Sequence, residues 1–165
     1  MTLTLQPLAP SDLHLTDGFA LPPDQAPFAD LPRQTMGQGA ARDGHLILSE
    51  NQPVGFFAID RDYAETQDFA PKGVIGLRMF LIDHAHQGRG LAKSACAALR
   101  PYLAQHYDAP ECWLTVNAKN PAARTAYLHG GFVDTGALYL DGGFGPQHIL
   151  RLPLTSTANP SSRAD

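Results

Sequence analysis

The chain has 165 residues, of which 44% are apolar and 17% charged, so it can bury one hydrophobic core and does not resemble a disordered chain. Its net charge of −4, without a dense block of Lys and Arg, argues against a nucleic-acid surface and mildly favours a cationic partner. Residues 1–15 contain no basic segment followed by a long apolar one, and no later segment reaches the length of a membrane span. We therefore expect neither a secretion signal nor a membrane-bound protein.

The cysteines and histidines indicate a reduced compartment and no metal site. Cys96 and Cys112 have neither CxxC spacing nor metal-ligand spacing, and the histidines form no HExxH motif. We expect a cytoplasmic protein in which neither cysteine is a strong nucleophile.

The N-terminal part of the chain predicts one strand and one hairpin. Residues 2–8 alternate apolar and polar side chains, as in a half-buried strand. Proline and glycine punctuate residues 18–45, so only short helices or loops are expected there. Two apolar segments around a polar tetrad predict a β-hairpin over 45–60, and residues 60–73 are predicted to form a polar loop.

A buried strand, a glycine loop and a helix come next. Residues 74–83 are apolar enough for a central strand buried on both faces. The loop HQGRGLA, residues 86–92, leads into a segment with apolar residues at helical intervals, which predicts an amphipathic helix to about residue 107. Pro101 lies inside this pattern, so we expect a kink or a break there.

A second strand and helix follow. Residues 112–117 read as a strand, and Asn120 as an N-cap with Pro121 at the first helical position. The predicted helix runs over 122–129 and ends at the glycines 130–131.

The C-terminal segment predicts two strands and a tail. The strands are expected near 132–140 and 147–154, on either side of the turn-rich DGGFGP. Residues 155–165 are small and polar, which predicts a disordered tail after a single domain over 1–154.

The glycine loop between a strand and a helix N-terminus is a typical phosphate site, because unpaired amides and the helix dipole favour an anion. Two phosphate motifs fail on counting. A Walker A motif that ends at Lys93 would need glycines where Ala92 and Gln87 stand, and the dinucleotide fingerprint needs a glycine where Lys93 stands. The pattern QxxGxA is met by Gln87, Gly90 and Ala92.

Two segments together carry a family resemblance. VIGLRMFLIDHAHQGRGLAKSACAAL resembles the acetyl-coenzyme A binding core of the GNAT superfamily of N-acetyltransferases, and LTVNAKNPAARTAYLHGGF stands where that superfamily has its strand-helix partner motif. The resemblance spans residues 45–154 and is most similar to bacterial acetyltransferases of small molecules. It implies an α/β fold with a central mixed sheet of about six to seven strands flanked by helices. It also implies acetyl-coenzyme A as cosubstrate.

The resemblance assigns residues to the coenzyme. The pyrophosphate would rest on the amides of residues 87–92, with positive charge from Arg89 and Lys93, and the pantetheine arm would pair with the preceding strand in a slot where two strands splay apart. The coenzyme-binding residues so implied are Phe80, Leu81, Ile82, Gln87, Gly88, Arg89, Gly90, Leu91, Ala92, Lys93, Asn117, Asn120 and Arg124. Some of them also have a structural alternative: a solvated helix face for Arg89 and Lys93, core packing for Leu81 and Ile82, and an N-cap alone for Asn120.

Tyr127 is implied to be the catalytic residue. A phenol can hold its proton at neutral pH and donate it to a departing thiolate, and the alternative is a buried aromatic that anchors the short helix. The general base stays open, and no spacing singles out one of the candidates, Asp60, Asp62, Glu65, Asp83, His84 and His86.

The function that follows from the resemblance is transfer of an acetyl group to the amine of a small molecule by direct attack in a ternary complex. Two alternatives remain: a coenzyme-binding module without catalysis, and transfer of a longer acyl group or transfer onto a protein N-terminus or lysine. Some such enzymes pair through their sheets, so a homodimer is a further expectation.

Overall fold

A computed structural model describes residues 2–23, 31–39 and 41–155 of the chain. The described residues form a seven-stranded sheet in the order β1-β2-β3-β4-β5-β7-β6. Its strands are β1 Leu3–Leu8, β2 Arg42–Ser49, β3 Gln52–Asp60, β4 Ile75–Ile82, β5 Glu111–Asn117, β6 Val133–Tyr139 and β7 Gln147–Pro153. The predicted tail lies outside the described residues, Thr155 excepted.

The helices are short, with one exception. They are α1 Pro32–Met36, α2 Tyr63–Thr66, α3 Leu91–His106 and α4 Pro121–His129, with 3₁₀ helices at Pro10–Thr16 and His84–His86. Neighbouring strands pair antiparallel except β4 and β5, which are parallel. This mixed sheet with helices on its faces confirms the predicted fold class.

The hairpin at 45–60 is confirmed as β2 and β3, and its turn has a local cause. Glu50 and Asn51 have φ of +51° and +67°, the left-handed pair of a two-residue turn whose twist matches that of the strands it joins. The helix after Asn120 is confirmed as well, since the Asn120 side chain accepts a hydrogen bond from the Ala123 amide at 3.4 Å and Pro121 opens α4.

Two predictions about local structure are corrected. Helix α3 runs unbroken through Pro101, because that proline lies on the exposed face, where water can satisfy the carbonyl that loses its partner. The predicted loop 60–73 contains the single turn α2, which buries Tyr63 against the sheet. The ring of Tyr63 occupies the space above Gly76, where a Cβ would lie 1.8 Å from its Cδ1.

The main core lies between the sheet and the helices α3 and α4. Leu91, Leu99 and Leu103 of α3 pack there against Leu114 and Leu150 of the sheet, all of them buried. A smaller core covers the opposite face of β2, β3 and β4. Burial of this kind contributes about 25 cal/mol for each Å² of apolar surface removed from water, so it fixes α3 and α4 on one face of the sheet.

Helix α4 lies very close to α3. A Cβ on Gly130 would stand 2.5 Å from the carbonyl oxygen of Cys96, so only glycine permits this approach. The end of α4 is thereby fixed against the first half of α3.

A buried network of hydrogen bonds joins β2 to the C-terminal half of α3. His45 is 3% exposed, its Nδ1 lies 2.7 Å from the Tyr102 hydroxyl and its Nε2 lies 2.7 Å from the Tyr107 hydroxyl. Tyr107 donates to a carboxylate oxygen of Asp43 at 2.8 Å, so its oxygen accepts from Nε2–H and the unprotonated Nδ1 accepts from Tyr102. Burial lowers the pKa of His45 from 6.5 to about 4.

This hydrogen-bond network makes the free energy of unfolding depend on pH over a defined range. Because folded His45 stays neutral while the unfolded residue gains a proton below pH 6.5, the free energy of unfolding should fall between pH 6.5 and about 4. The loss attributable to His45 is up to about 3 kcal/mol. Urea denaturation of the wild type and of His45→Gln, which can still donate and accept but does not titrate, should show a steeper pH dependence for the wild type. Parallel curves for the two proteins would mean that His45 does not titrate as a buried neutral ring.

Candidate functional site

The central feature of the site is a gap between β4 and β5. The two strands pair only at Ile75–Cys112 and Gly76–Trp113 and then diverge. The edge of β4 that faces β5 therefore has no strand partner from residue 77 to 82, while its other edge continues to pair with β3. A cleft of about 370 Å³ opens there, a size suited to a small ligand.

The glycine loop forms one end of this cleft. Gly88 and Gly90 have φ of +80° and +73°, and no atom lies within 4 Å of a Cβ built on either, so the backbone conformation and not crowding requires glycine. The first helical hydrogen bond of α3 runs from the Ser94 amide to the Gly90 carbonyl, at 3.1 Å. The amides of residues 91–93 therefore have no helical partner and can bind an anion, helped by the helix dipole.

Gln87 ties the loop to the strand before it. Its side-chain Nε2 donates to the carbonyl oxygen of Ile82 at 3.0 Å, so the glutamine of QxxGxA has a structural role. This bond fixes the direction in which the chain leaves β4 and enters α3.

The other wall of the cleft is formed by β5 and α4. Asn117, at the end of β5, donates from Nδ2 to the carbonyl of Phe144 at 3.0 Å and accepts at Oδ1 from the Lys119 amide at 2.8 Å. Both ends of its amide are used, so Asn117 fastens the loop between β6 and β7 to the cleft. Asn120 lines the cleft as well as capping α4.

Tyr127 faces the cleft from α4. Its ring contacts Phe80 and Phe132 edge-on, with centroid distances of 5.9 and 5.5 Å. Its hydroxyl makes no hydrogen bond to another residue in the described parts of the chain, and burial raises the pKa of the phenol well above its ordinary value. Tyr127 is thus a neutral hydroxyl at a cleft wall, able to donate a proton to a ligand.

Most of the predicted site residues line this one cleft. They are Phe80, Leu81, Ile82, Gln87, Gly88, Gly90, Leu91, Ala92, Asn117, Asn120 and Tyr127. Arg124 is not among the lining residues; its guanidinium donates to Asp134 at 2.6 Å and joins α4 to β6, so its predicted role in coenzyme binding stays a prediction. Arg89 and Lys93 do not line it either, since both side chains are exposed to solvent and Arg89 contacts His86.

The six candidates for the general base lie outside the cleft walls. Asp60 accepts from Arg78 at 3.0 Å and from the Asp62 amide at 2.8 Å, and Asp83 accepts from the Ala20 amide at 2.9 Å. Both carboxylates are buried in internal hydrogen bonds. No carboxylate or imidazole is among the described residues that line the cleft.

Several further lining residues were not predicted as part of the site, and five of them come from four different parts of the chain. They are Leu21, Arg78, Thr115, Phe144 and Gln147. Arg78, Thr115 and Gln147 stand inside predicted strands, and the sequence analysis did not indicate which face of the sheet each side chain would take.

Comparison with known proteins identifies the family and the fold. The model of the acetyltransferase (GNAT) family matches residues 13–132. The chain belongs to this family. The predicted family and enzyme class, a GNAT N-acetyltransferase, are therefore confirmed.

Two curated relatives from Bacillus subtilis (strain 168) are similar in sequence. The GNAT chain is 29% identical over 147 residues to the "Uncharacterized N-acetyltransferase YbbJ", covering 86% of this chain and 91% of that protein. It is 32% identical over 96 residues to the "Spermine/spermidine N(1)-acetyltransferase", covering 58% of this chain and 62% of that protein.

Solved structures share the fold at low sequence identity. The spermidine N-acetyltransferase of Vibrio cholerae, in complex with CoA and spermine, has a TM-score of 0.66 at 17% identity, over 95% of this chain and 98% of that one. AAC(6′)-Ib, in complex with parmomycin and acetyl-CoA, has a TM-score of 0.70 at 16% identity, over 93% and 94%.

Residues 2–23, 31–39 and 41–155 lack two features of other protein classes. No helix in these ranges is long and apolar enough to cross a membrane. No three His, Cys, Asp or Glu side chains in these ranges are grouped so as to hold a metal ion.

The enclosed phenol of Tyr127 can be checked by spectroscopic titration. Burial keeps the Tyr127 phenol protonated, so it should not contribute to the phenolate absorbance near 295 nm of the native protein. The alkaline titration curves of native wild type and native Tyr127→Phe should therefore coincide up to about pH 11. In urea the same variant should show one phenolate fewer than the five tyrosines of the wild type, which is the control. If the native variant formed one phenolate fewer than the native wild type near pH 10, the Tyr127 hydroxyl would not be buried.

Proposed function

We propose that the protein transfers the acetyl group of acetyl-coenzyme A to the primary amine of a small molecule, by direct attack within a ternary complex. The observation that carries the proposal is that the divergence of β4 and β5 opens one cleft containing both the anion-binding loop and the hydroxyl of Tyr127. An acetyl donor with a pyrophosphate at one end and a thioester at the other needs both features in one continuous slot.

The coenzyme is held mainly by backbone groups. Its pyrophosphate accepts hydrogen bonds from the unpaired backbone amides between Gly88 and Lys93. The exposed side chains of Arg89 and Lys93 add positive charge nearby. The amides of the pantetheine arm pair with the free edge of β4 at Phe80, Leu81 and Ile82, as an added strand would.

Tyr127 supplies the proton for the departing thiolate. Its pKa is raised by burial, so the phenol is protonated throughout the neutral range, and its hydroxyl has no competing partner in the described residues. When the amine attacks the thioester carbonyl, a carbon–nitrogen bond forms, the carbon–sulfur bond breaks and the phenol proton passes to sulfur.

A covalent acetyl-enzyme is disfavoured. Cys96 lines the cleft, but burial raises the pKa of its thiol to about 12, so it is not a thiolate at neutral pH. Since no carboxylate or imidazole is found among the described lining residues, the acceptor amine gives up its proton to water in the cleft.

The acceptor is proposed to be a small molecule because the curated spermine/spermidine relative and both structural neighbours are named for, or solved with, small amines. Two other expectations stay predictions: that residues 1–154 act as a single domain and that two chains pair.

The experiment combines calorimetry with thiol-release kinetics over a panel of amines. We expect acetyl-coenzyme A to bind at submillimolar concentration to the wild type and to Tyr127→Phe. Loss of the general acid should lower kcat by roughly 100-fold or more. Tyr139→Phe is the matched control, since Tyr139 lies outside the cleft walls and its variant should keep the wild-type rate.

The outcomes separate the candidates. No binding of acetyl-coenzyme A would refute the coenzyme site. Binding without turnover for any amine would favour the non-catalytic module, and full turnover by Tyr127→Phe would remove Tyr127 from the mechanism while leaving the coenzyme site intact.

A further inference from the structure

The cleft has two sides, defined by the two faces of β4. Leu77, Phe80 and Ile82 face the core that contains α3 and α4, whereas Met79 and Leu81 face the opposite core. The glycine loop and Tyr127 lie on the side of β4 that faces α3 and α4, and under the proposed function the coenzyme binds on that side. The acceptor amine has to reach the thioester from the other side.

Arg78 stands on that other side, next to an irregularity in the sheet. The pairing of β3 with β4 runs Ala58–Met79 and then Ile59–Leu77, which leaves Arg78 as the extra residue of a β-bulge. Its guanidinium carbon lies 4.8 Å from the centre of the Tyr63 ring. Gly76, two residues before Arg78, faces the same Tyr63 ring, so the alternation of β4 places the Arg78 side chain on the face proposed for the acceptor.

The Arg78 guanidinium is held by two hydrogen bonds and keeps further donors for a ligand. Arg78 Nε donates to Asp60 Oδ2 at 3.0 Å and Nη2 donates to the Thr66 hydroxyl at 3.1 Å. Nη1 makes no hydrogen bond within the described residues, and 24% of the side chain is exposed. Because two of its nitrogens are already held by hydrogen bonds, the Arg78 side chain loses little further conformational freedom when its third nitrogen binds a ligand oxygen.

The surroundings favour an anion over a cation. Arg78 is the one charged side chain among the described residues that line the cleft, and its neighbours on this side, Thr115 and Gln147, are neutral. The Asp60 carboxylate is 8% exposed, and both of its oxygens are already engaged, one by Arg78 and the other by the Asp62 amide. A second ammonium group on an acceptor would find no free carboxylate here, whereas a carboxylate would find the Nη1 donors.

We infer that the acceptor is an amine that carries a carboxylate, of the amino-acid class, and that Arg78 is the residue that selects it. The inference rests on the proposed function. Leu21 and Phe144 line the same cleft, and the Phe144 side chain is 58% exposed at its mouth, which suits an apolar body between the amine and solvent. This class differs from the polyamine named for the curated relative and from the ligands of the structural neighbours.

The test uses matched acceptors: leucine against leucinamide, with spermidine as a polycation and phosphoethanolamine as an amine with a different anion. The quantity compared is the ratio of kcat/KM for leucine to kcat/KM for leucinamide. Comparing this ratio between variants cancels both the difference in amine basicity and any general loss of active protein.

We expect Arg78→Gln to lower this ratio by roughly 10- to 100-fold, as for loss of a charge-assisted hydrogen bond. Arg78→Lys keeps the charge and should lower it less. Asp60→Asn removes the competing carboxylate but leaves Arg78, so the ratio should stay level or rise, even though both changes disturb the same ion pair.

Equal ratios in the wild type and Arg78→Gln, or spermidine as the best acceptor, would overturn the inference while leaving acetyl transfer intact. A preference for phosphoethanolamine over leucine that disappears in Arg78→Gln would overturn the carboxylate and assign a phosphate instead. Failure of the proposed function looks different, since no acceptor of any charge would then be acetylated.

Discussion

The rest of the structure depends on the short parallel contact between β4 and β5. Two residue pairs join these strands, and beyond them each strand continues with a different partner, β3 for β4 and β7 for β5. A sheet that stayed closed here would satisfy its own backbone groups and would offer a ligand nothing. Because it opens, a row of strand-edge groups in the middle of the molecule is left for a ligand, and the helix N-terminus of α3 lies at one end of that row.

Features with a local cause were predictable from the sequence. The left-handed pair Glu50 and Asn51 between two apolar segments makes a hairpin, and Asn120 followed by Pro121 starts a helix, whatever the rest of the chain does. The glycines of HQGRGLA indicate positive φ before a helix, and this conformation is found. The family resemblance then supplied the mixed sheet and most of the site residues that were predicted to lie together in the cleft.

Features made by distant contacts were not predictable. Arg78 meets Asp60 and Tyr63 only after β3, β4 and α2 have come together, and the partner of Arg124 on α4 is Asp134 on β6. His45 meets Tyr102 and Tyr107 only after α3 has packed on β2. Pro101 reads as a helix breaker in any local scale, and only its exposure on the packed helix shows why it is tolerated.

The central claim is that acetyl-coenzyme A occupies the gap between β4 and β5 with its pyrophosphate on the loop before α3. Titration of the ¹⁵N-labelled protein with acetyl-coenzyme A, followed by amide chemical shifts, tests it most directly. We expect saturable shifts that are largest at residues 88–93 and clear at 80–82, with β1 at residues 3–8 unchanged. Saturable shifts that leave residues 88–93 unmoved would contradict it.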